Sequence, residues 1–229
     1  MTPHGFFVTG TDTGVGKTLV ACALLHAFAA RGKRVVGMKP VAAGAQWHAD
    51  GLRNEDVEQI LAAGNVPASR QLANPYCFEP PVAPHIAARG AGVEIDLQQI
   101  ERAYVGLLRL ADMVIVEGAG GFCVPLNAHE STADLVQRLG LPVLLVVGMR
   151  LGCLNHALLT AQAVRACGLE LAGWVANHVD PRMAHAEANI AALTERFSAP
   201  PVARIGFSFP PDPRSIAANL DLDRLGFFG

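Results

Sequence analysis

The stretch "GFFVTGTDTGVGKTLVACALL" near the start of the chain restricts its fold more tightly than any other segment. A short apolar run, a glycine-rich turn and an apolar helical pattern follow in that order, so a buried strand must feed a helix through a curled loop. Gly10, Gly14 and Gly16 allow the loop to aim successive backbone N–H groups inward. The helix entrance adds its own free donors and the positive end of its dipole, and together these make an anion cradle. Lys17 is placed to reach the β and γ phosphates of a nucleotide, and the Thr18 hydroxyl to ligate a Mg²⁺ held against them. The spacing departs from the strict phosphate-loop pattern, because Thr11 fills the slot of the first glycine and Gly10 comes one residue early. The added room is expected to let Thr11, Asp12 or Thr13 face the transferred phosphate.

Downstream, short apolar runs alternate with helical patterns. After a helix over 17–30 come "RVVGMK" at 34–39, "DMVIVEG" at 112–118 and "PVLLVVG" at 142–148, then a helix near 153–167. "LAGWVANHV" at 171–179, a helix near 183–197 and "VARIGF" at 202–207 complete the series. Several runs are apolar on both faces, which suits parallel strands covered by helices on each side. The expectation is an α/β fold, a mostly parallel sheet in a three-layer sandwich of the P-loop NTPase type. Residues 40–95 are less regular, and "NPYCFEPPVAPH" at 74–85 cannot continue a helix. That stretch reads as a long surface excursion around a site, or as a plain linker. The end, "FPPDPRSIAANLDLDRLGFFG", reads as a proline-rich loop plus a short helix. No repeat or shift in composition marks a boundary, so one domain over 1–229 is expected.

Composition narrows the function classes. The 229 residues are 51% hydrophobic and 17% charged, as in a compact globule. A formal charge of −2 supplies no field to recruit nucleic acid. Five scattered cysteines without a CxxC pair read as reduced thiols, and Cys123 and Cys153 as small buried hydrophobes. The most apolar run, "LGLPVLLVVGM", is too short to cross a bilayer, and no secretion signal is apparent at the amino terminus, so a cytoplasmic protein without a membrane partner is expected. Eight histidines show no zinc spacing, and there is neither a GxSxG elbow nor a dinucleotide fingerprint.

Two acids and a lysine stand out beside the loop. Glu117 ends an apolar strand and precedes glycines, which puts its carboxylate at the carboxyl edge of a parallel sheet, where ligands collect. Asp56 in "GLRNEDVEQI" begins an apparent helix and reads either as a metal ligand or as a first-turn acid. Lys39 follows the second strand and can neutralise charge on a moving phosphoryl group, or it is a surface lysine at a strand end. Asn177, at another strand end, can pair with a base or form a turn.

The ordered blocks "FVTGTDTGVGKT", "KPVAAG", "GLRNEDV", "NPYCFEPPVAPHIAA", "VEGAGGFCVPL", "LPVLLVVGMRLGCLNHALLTAQA" and "LAGWVANHVDPRM" closely resemble the dethiobiotin synthetases over nearly the whole chain. The resemblance implies a ligase that joins CO₂ to 7,8-diaminononanoate with Mg-ATP, through a carbamate and a carbamic-phosphoric anhydride. It assigns Thr18, Asp56 and Glu117 to the metal. It gives Gly14, Val15, Gly16, Lys17 and Thr18 to the phosphates and Asn177 to adenine, and puts Thr13, Lys39 and Gly120 at the reacting groups and the substrate. It further implies a homodimer in which Gly152, Cys153, Leu154 and Asn155 receive the substrate carboxylate across the interface. Three positions depart from the family pattern: Ala43 replaces a common serine, Ala188 replaces a frequent tyrosine, and the familiar "GEIP" after the last strand reads "ARIG" or "IGFSFP". Substrate geometry and base preference therefore stay open.

Two other classes compete. A deviant-Walker partitioning or switch ATPase would carry a second lysine in its loop, at the position of Asp12. A glutamine-dependent amidase would need a further domain with a nucleophilic cysteine, and the stretch after Asn177 is too short for one.

Overall fold

The computed structural model describes residues 4–226. In chain order its elements are β1 (Gly5–Gly10), α1 (Lys17–Ala30), β2 (Val35–Met38), β3 (Val41–Ala42), β4 (Gln46–His48), β5 (Gly51–Arg53), α2 (Glu55–Ala63), α3 (Arg70–Ala73), β6 (Tyr76–Cys77) and α4 (Pro84–Gly90). There follow α5 (Leu97–Leu108), β7 (Met113–Glu117), α6 (Thr132–Leu139), β8 (Val143–Gly148), α7 (Cys153–Ala166), β9 (Leu171–Asn177), α8 (Ala186–Arg196), β10 (Pro201–Ile205) and α9 (Pro213–Ala217), with a 3₁₀ turn at Leu222–Leu225.

Six strands form one sheet in the order β10-β9-β8-β1-β7-β2, and every pair is parallel. Side chains alternate across a strand, so each apolar strand feeds both faces. Phe6 and Val8 of β1 pack with Val20, Leu24 and Phe28 of α1 on one face. Phe7 joins Ile100, Tyr104 and Leu107 of α5 on the other, together with Leu135 and Val136 of α6. Leu145 and Trp174 continue the second face toward α7 and α8, against Ala157 and Ile190. The result is helix, sheet, helix, which is the expected three-layer sandwich.

The six strands expected from sequence are all present, with bounds that differ by at most two residues. The helix expected near 183 begins only at Ala186, because His185 just before it has a left-handed backbone (φ 57°) that cannot continue a helix backwards. The irregular stretch 40–95 holds more regular structure than its prolines suggest: α2 and α3 lie in it, and α4 starts at Pro84. A proline is well tolerated there because the first helical position has no intrahelical use for its N–H. Helices α5 and α6 were not expected. Among the described residues no helix is long and apolar enough to cross a membrane.

Cys123 is a correction. It is exposed, not buried, because its neighbour Phe122 takes the inward position on the loop after β7 at 3% exposure. Cys153 is buried, as expected.

Helix α6 shows how local sequence fixes an end. The Ser131 N–H and hydroxyl both donate to Asp134 Oδ2, at 2.7 and 2.6 Å, so the first turn is closed by its own side chains. The Ser131 hydroxyl and then its backbone N–H hold the Asp134 carboxyl below the usual aspartate range. A depressed folded-state pKa contributes stability above the unfolded value and loses it as pH falls through the folded one. Asp134→Ala should therefore cost about 1 kcal/mol near neutrality, with the difference from the parent shrinking in acid. Denaturant unfolding at neutral pH and below the ordinary aspartate range checks both the size and the trend.

Candidate active site

The loop between β1 and α1 is anchored from three directions. Thr11 donates its N–H to the Val146 carbonyl at 3.0 Å, and its hydroxyl accepts from the Gly148 N–H at 3.4 Å. The residue in place of the usual first glycine is thus a tether to β8. Gly10 is still required, since a Cβ there would lie 2.6 Å from Val15 Cγ2 and 3.1 Å from Lys17 Cγ. The Asp12 carboxylate accepts from the Thr13 N–H at 2.7 Å and from the Arg150 guanidinium at 2.5 Å. Its carbonyl accepts from Lys17 Nζ at 2.9 Å, which curls the lysine back over the loop. On the third side Asn177, 5% exposed at the end of β9, donates through Nδ2 to the Val15 carbonyl at 2.8 Å.

Across the loop lies a compact charged cluster. Lys39 Nζ donates to Glu117 Oε1 at 2.7 Å and to Asp56 Oδ2 at 2.5 Å. The Thr18 hydroxyl donates to the same Glu117 oxygen at 3.0 Å. Lys39 is 6% exposed and Glu117 1%, so the pair sits where charge is costly unless matched. Burial pulls Lys39 down, but Glu117 and then Asp56 outweigh it and keep the ammonium charged well into alkaline pH. Burial pushes Glu117 up, and Lys39 pulls against it. Lys17 carries a lowered pKa, chiefly from burial, with Glu117 opposing. Asp56 is lowered: burial raises it, and the charge and hydrogen bond of Lys39 more than compensate.

Local structure delivers each member. Asn54 caps α2 by accepting from the Val57 N–H at 3.4 Å, and its own amide donates to the Ala43 carbonyl at 3.1 Å, so the helix start bearing Asp56 is tied to the loop after β3. Lys39 donates its N–H to Ala73 at 2.8 Å, and its carbonyl accepts from Asn74 Nδ2 at 2.7 Å. Asn54, Asn74 and Arg150 went unremarked in the sequence. Only Asn54 carried a signal, as a capping residue ahead of an acid-rich first turn.

The loop from Asp12 to Thr18 and the charged cluster line one cavity of about 890 Å³, and Asn177 is not among its lining residues. Thr13, Gly14, Gly16, Lys17 and Thr18 line it together with Lys39, Asp56, Glu117 and Gly120, and with Ala43 and Pro81–Pro84. The proline-rich excursion is therefore a wall of the site. Thr13 and Gly120 face each other, with the Thr13 hydroxyl 3.9 Å from where a Cβ of residue 120 would stand. Val15 is fully buried beneath the loop. Gly152, Cys153, Leu154 and Asn155 form the entrance of α7 and do not line this cavity. Ala188 is exposed on α8, also outside it.

The oxygens present suit a hard divalent cation, which prefers carboxylate and hydroxyl ligands beside phosphate. Glu117 Oε2 is buried and has no hydrogen-bond partner among the described residues. An unmet buried carboxylate oxygen is costly, and a cation shared with Thr18 and Asp56 would meet it.

The AAA domain family model matches residues 4–213. An ATP-dependent dethiobiotin synthetase of Nitrosospira multiformis is 59% identical over 222 residues, 97% of this chain and 96% of that protein. Namesakes from Aromatoleum aromaticum and Pseudomonas paraeruginosa are 53% and 50% identical, across 96% of this chain in each case and 98% and 97% of their own lengths.

Gly16 gives the sharpest test of this geometry. Its φ is 92°, and a Cβ there would lie 2.2 Å from Asn177 Nδ2. Gly16→Ala should destabilise the protein by about 1–3 kcal/mol and weaken Mg-ATP binding at least tenfold by displacing the loop. Thermal unfolding and titration calorimetry read the two effects separately.

Proposed function

This chain belongs to the ATP-dependent dethiobiotin synthetase family, and we propose that it carries out the family's reaction in the cavity between the phosphate loop and Lys39. It is an ATP-dependent ligase of biotin synthesis. The observation that carries the site assignment is the buried Lys39, held by two carboxylates beside a second buried lysine on the loop.

In this reading one amine of 7,8-diaminononanoate attacks CO₂, forming an N–C bond and releasing a proton, to give a carbamate. A carbamate oxygen then attacks the γ-phosphorus of ATP, and the bond to ADP breaks. The second amine attacks the carbonyl carbon of the mixed anhydride, inorganic phosphate leaves, and the cyclic urea of dethiobiotin closes. No enzyme nucleophile is required.

Two anions must meet for the second step. The loop N–H groups from Gly14 to Thr18 and the α1 entrance hold the β and γ phosphates. Lys17 leaves the Asp12 carbonyl for the phosphates when nucleotide is bound. Lys39 faces the incoming carbamate oxygen and the transferring group, where a preformed ammonium in a dry site stabilises charge without reorganisation. Thr13 and Gly120 narrow the cavity around the reacting atoms. Thr18, Asp56 and Glu117 would hold Mg²⁺, which when bound neutralises phosphate charge. Asn177 faces the adenine end. We further propose a homodimer in the cytoplasm, in which the α7 entrance of one protomer, residues 152–155, receives the substrate carboxylate of the other through its free N–H groups. Ala43 lines the cavity and offers the diamine no hydroxyl.

Purified protein with the diamine, bicarbonate, Mg²⁺ and ATP should form dethiobiotin and ADP in equal amounts. Nucleotide turnover indifferent to the diamine, with no cyclic urea by mass spectrometry, would reject the assignment. Lys39→Ala should lower turnover by about a hundredfold or more while changing the nucleotide dissociation constant much less. Equal losses in both would make Lys39 an ordinary phosphate ligand.

A further inference from the structure

Asp12 brings a negative charge to a cavity suited to anions. It lines the same space as Lys17, Lys39 and Gly120, and an uncompensated carboxylate there would repel both a triphosphate and a carbamate. Two cations hold it. Lys17 Nζ donates to its carbonyl at 2.9 Å, and the Arg150 guanidinium donates to its Oδ2 at 2.5 Å. Once Lys17 moves to the phosphates, as proposed above, Arg150 is the cation that stays. Arg150 itself is not among the residues that line the cavity.

The arginine is offered from a fixed base. Met149 donates its N–H to the Asn177 carbonyl at 2.7 Å, and the Arg150 carbonyl accepts from the Cys153 N–H at 3.0 Å, so the backbone around residue 150 is tied to β9 and to the start of α7. The side chains of Arg150 and Asp12 are 41% and 50% exposed. An ion pair so open to water contributes little to stability. The sandwich does not depend on it; the loop does. The other oxygen of the same carboxylate, Oδ1, accepts from the Thr13 N–H at 2.7 Å. A carboxylate held at both oxygens cannot turn, so Arg150 also governs where Thr13 stands. With its N–H spent on Asp12, Thr13 meets the cavity through its side chain, and the hydroxyl faces Gly120.

We infer that Arg150 is a positioning residue for phosphoryl transfer: it offsets the Asp12 charge and, through Asp12, sets the Thr13 hydroxyl beside the reacting groups. Small displacements matter there, because a misplacement of about 1 Å at a reacting centre can lower turnover about a hundredfold. This rests on the ligase reading above and adds to it a residue that acts through another.

The test uses the full-length protein and three readouts: turnover of the diamine, bicarbonate and Mg-ATP to dethiobiotin, calorimetric titration with Mg-ATP, and thermal unfolding. Arg150→Gln should lower kcat about tenfold or more. Its Mg-ATP dissociation constant should rise by less than about fivefold, and its thermal midpoint should stay within about 3 °C of the parent. Arg150→Lys should keep most of the parental turnover, since the contact is made by one nitrogen and an ammonium can replace it. Asp12→Asn keeps an acceptor for the Thr13 N–H and removes the charge. Combined with Arg150→Gln it should therefore cost little beyond Arg150→Gln alone, as expected of two residues that act as one unit. Parental turnover in Arg150→Gln, failure of lysine to sustain it, or losses that multiply in the double variant would each overturn the role. A midpoint lowered by more than about 5 °C would make the pair structural instead, and a loss of Mg-ATP affinity as large as the loss of turnover would make Arg150 a nucleotide ligand. If the parent itself makes no dethiobiotin, it is the ligase reading that falls.

Discussion

The site depends on one buried ion pair, Lys39 with Glu117. Two charges removed from water are tolerable only when each satisfies the other and further groups satisfy what remains. Here Asp56 takes another Lys39 hydrogen and Thr18 binds the shared Glu117 oxygen. The cluster joins β2, α2, β7 and the first turn of α1, so the placement of four elements is fixed by one set of charges. Oppositely charged neighbours also keep Lys39 protonated although burial alone would favour the neutral amine. A group kept charged in a dry setting stabilises charge beside it without reorganisation.

The loop beside that pair is over-determined in a different way. The loop carries Gly14 and Gly16, both at positive φ, so its shape must be imposed from behind. Thr11, Asp12 and Asn177 do this through β8, Arg150 and β9 respectively. The displaced glycine follows from the same geometry. Residue 11 is free to be a threonine because its side chain points to the sheet, and Gly10 is needed because Val15 and Lys17 fold back over it.

Much of this was legible in the sequence. Apolar runs on both faces named the parallel strands, and "GVGKT" after the first of them marked the loop that leads into α1. Lys39 and Glu117 were legible as strand-end residues, because the carboxyl edge of such a sheet is where ligands gather. Asp56 was not placed by spacing, since its meeting with Lys39 depends on how α2 packs. Asn74 and Arg150 were invisible for the same reason: a polar residue that supports another through a backbone carbonyl or a distant carboxylate has no local pattern. Amphipathic α5 and α6 were passed over between stronger motifs, and the proline-rich stretch hid that it lines the cavity. Cys123 was misplaced because alternation on a loop is set by its anchor, Phe122.

The position of β1 within the sheet has a consequence for biosynthesis. Among the described residues it precedes every other strand, yet its two neighbours are β7 and β8, and the Thr11 tether ends on residues 146 and 148. Everything between residues 10 and 143 must be made before this strand gains both partners. Such long-range parallel pairing is slow to form and leaves apolar edges open meanwhile. The nascent chain is thus most exposed to chaperones, and to aggregation, before the nucleotide has anything to bind.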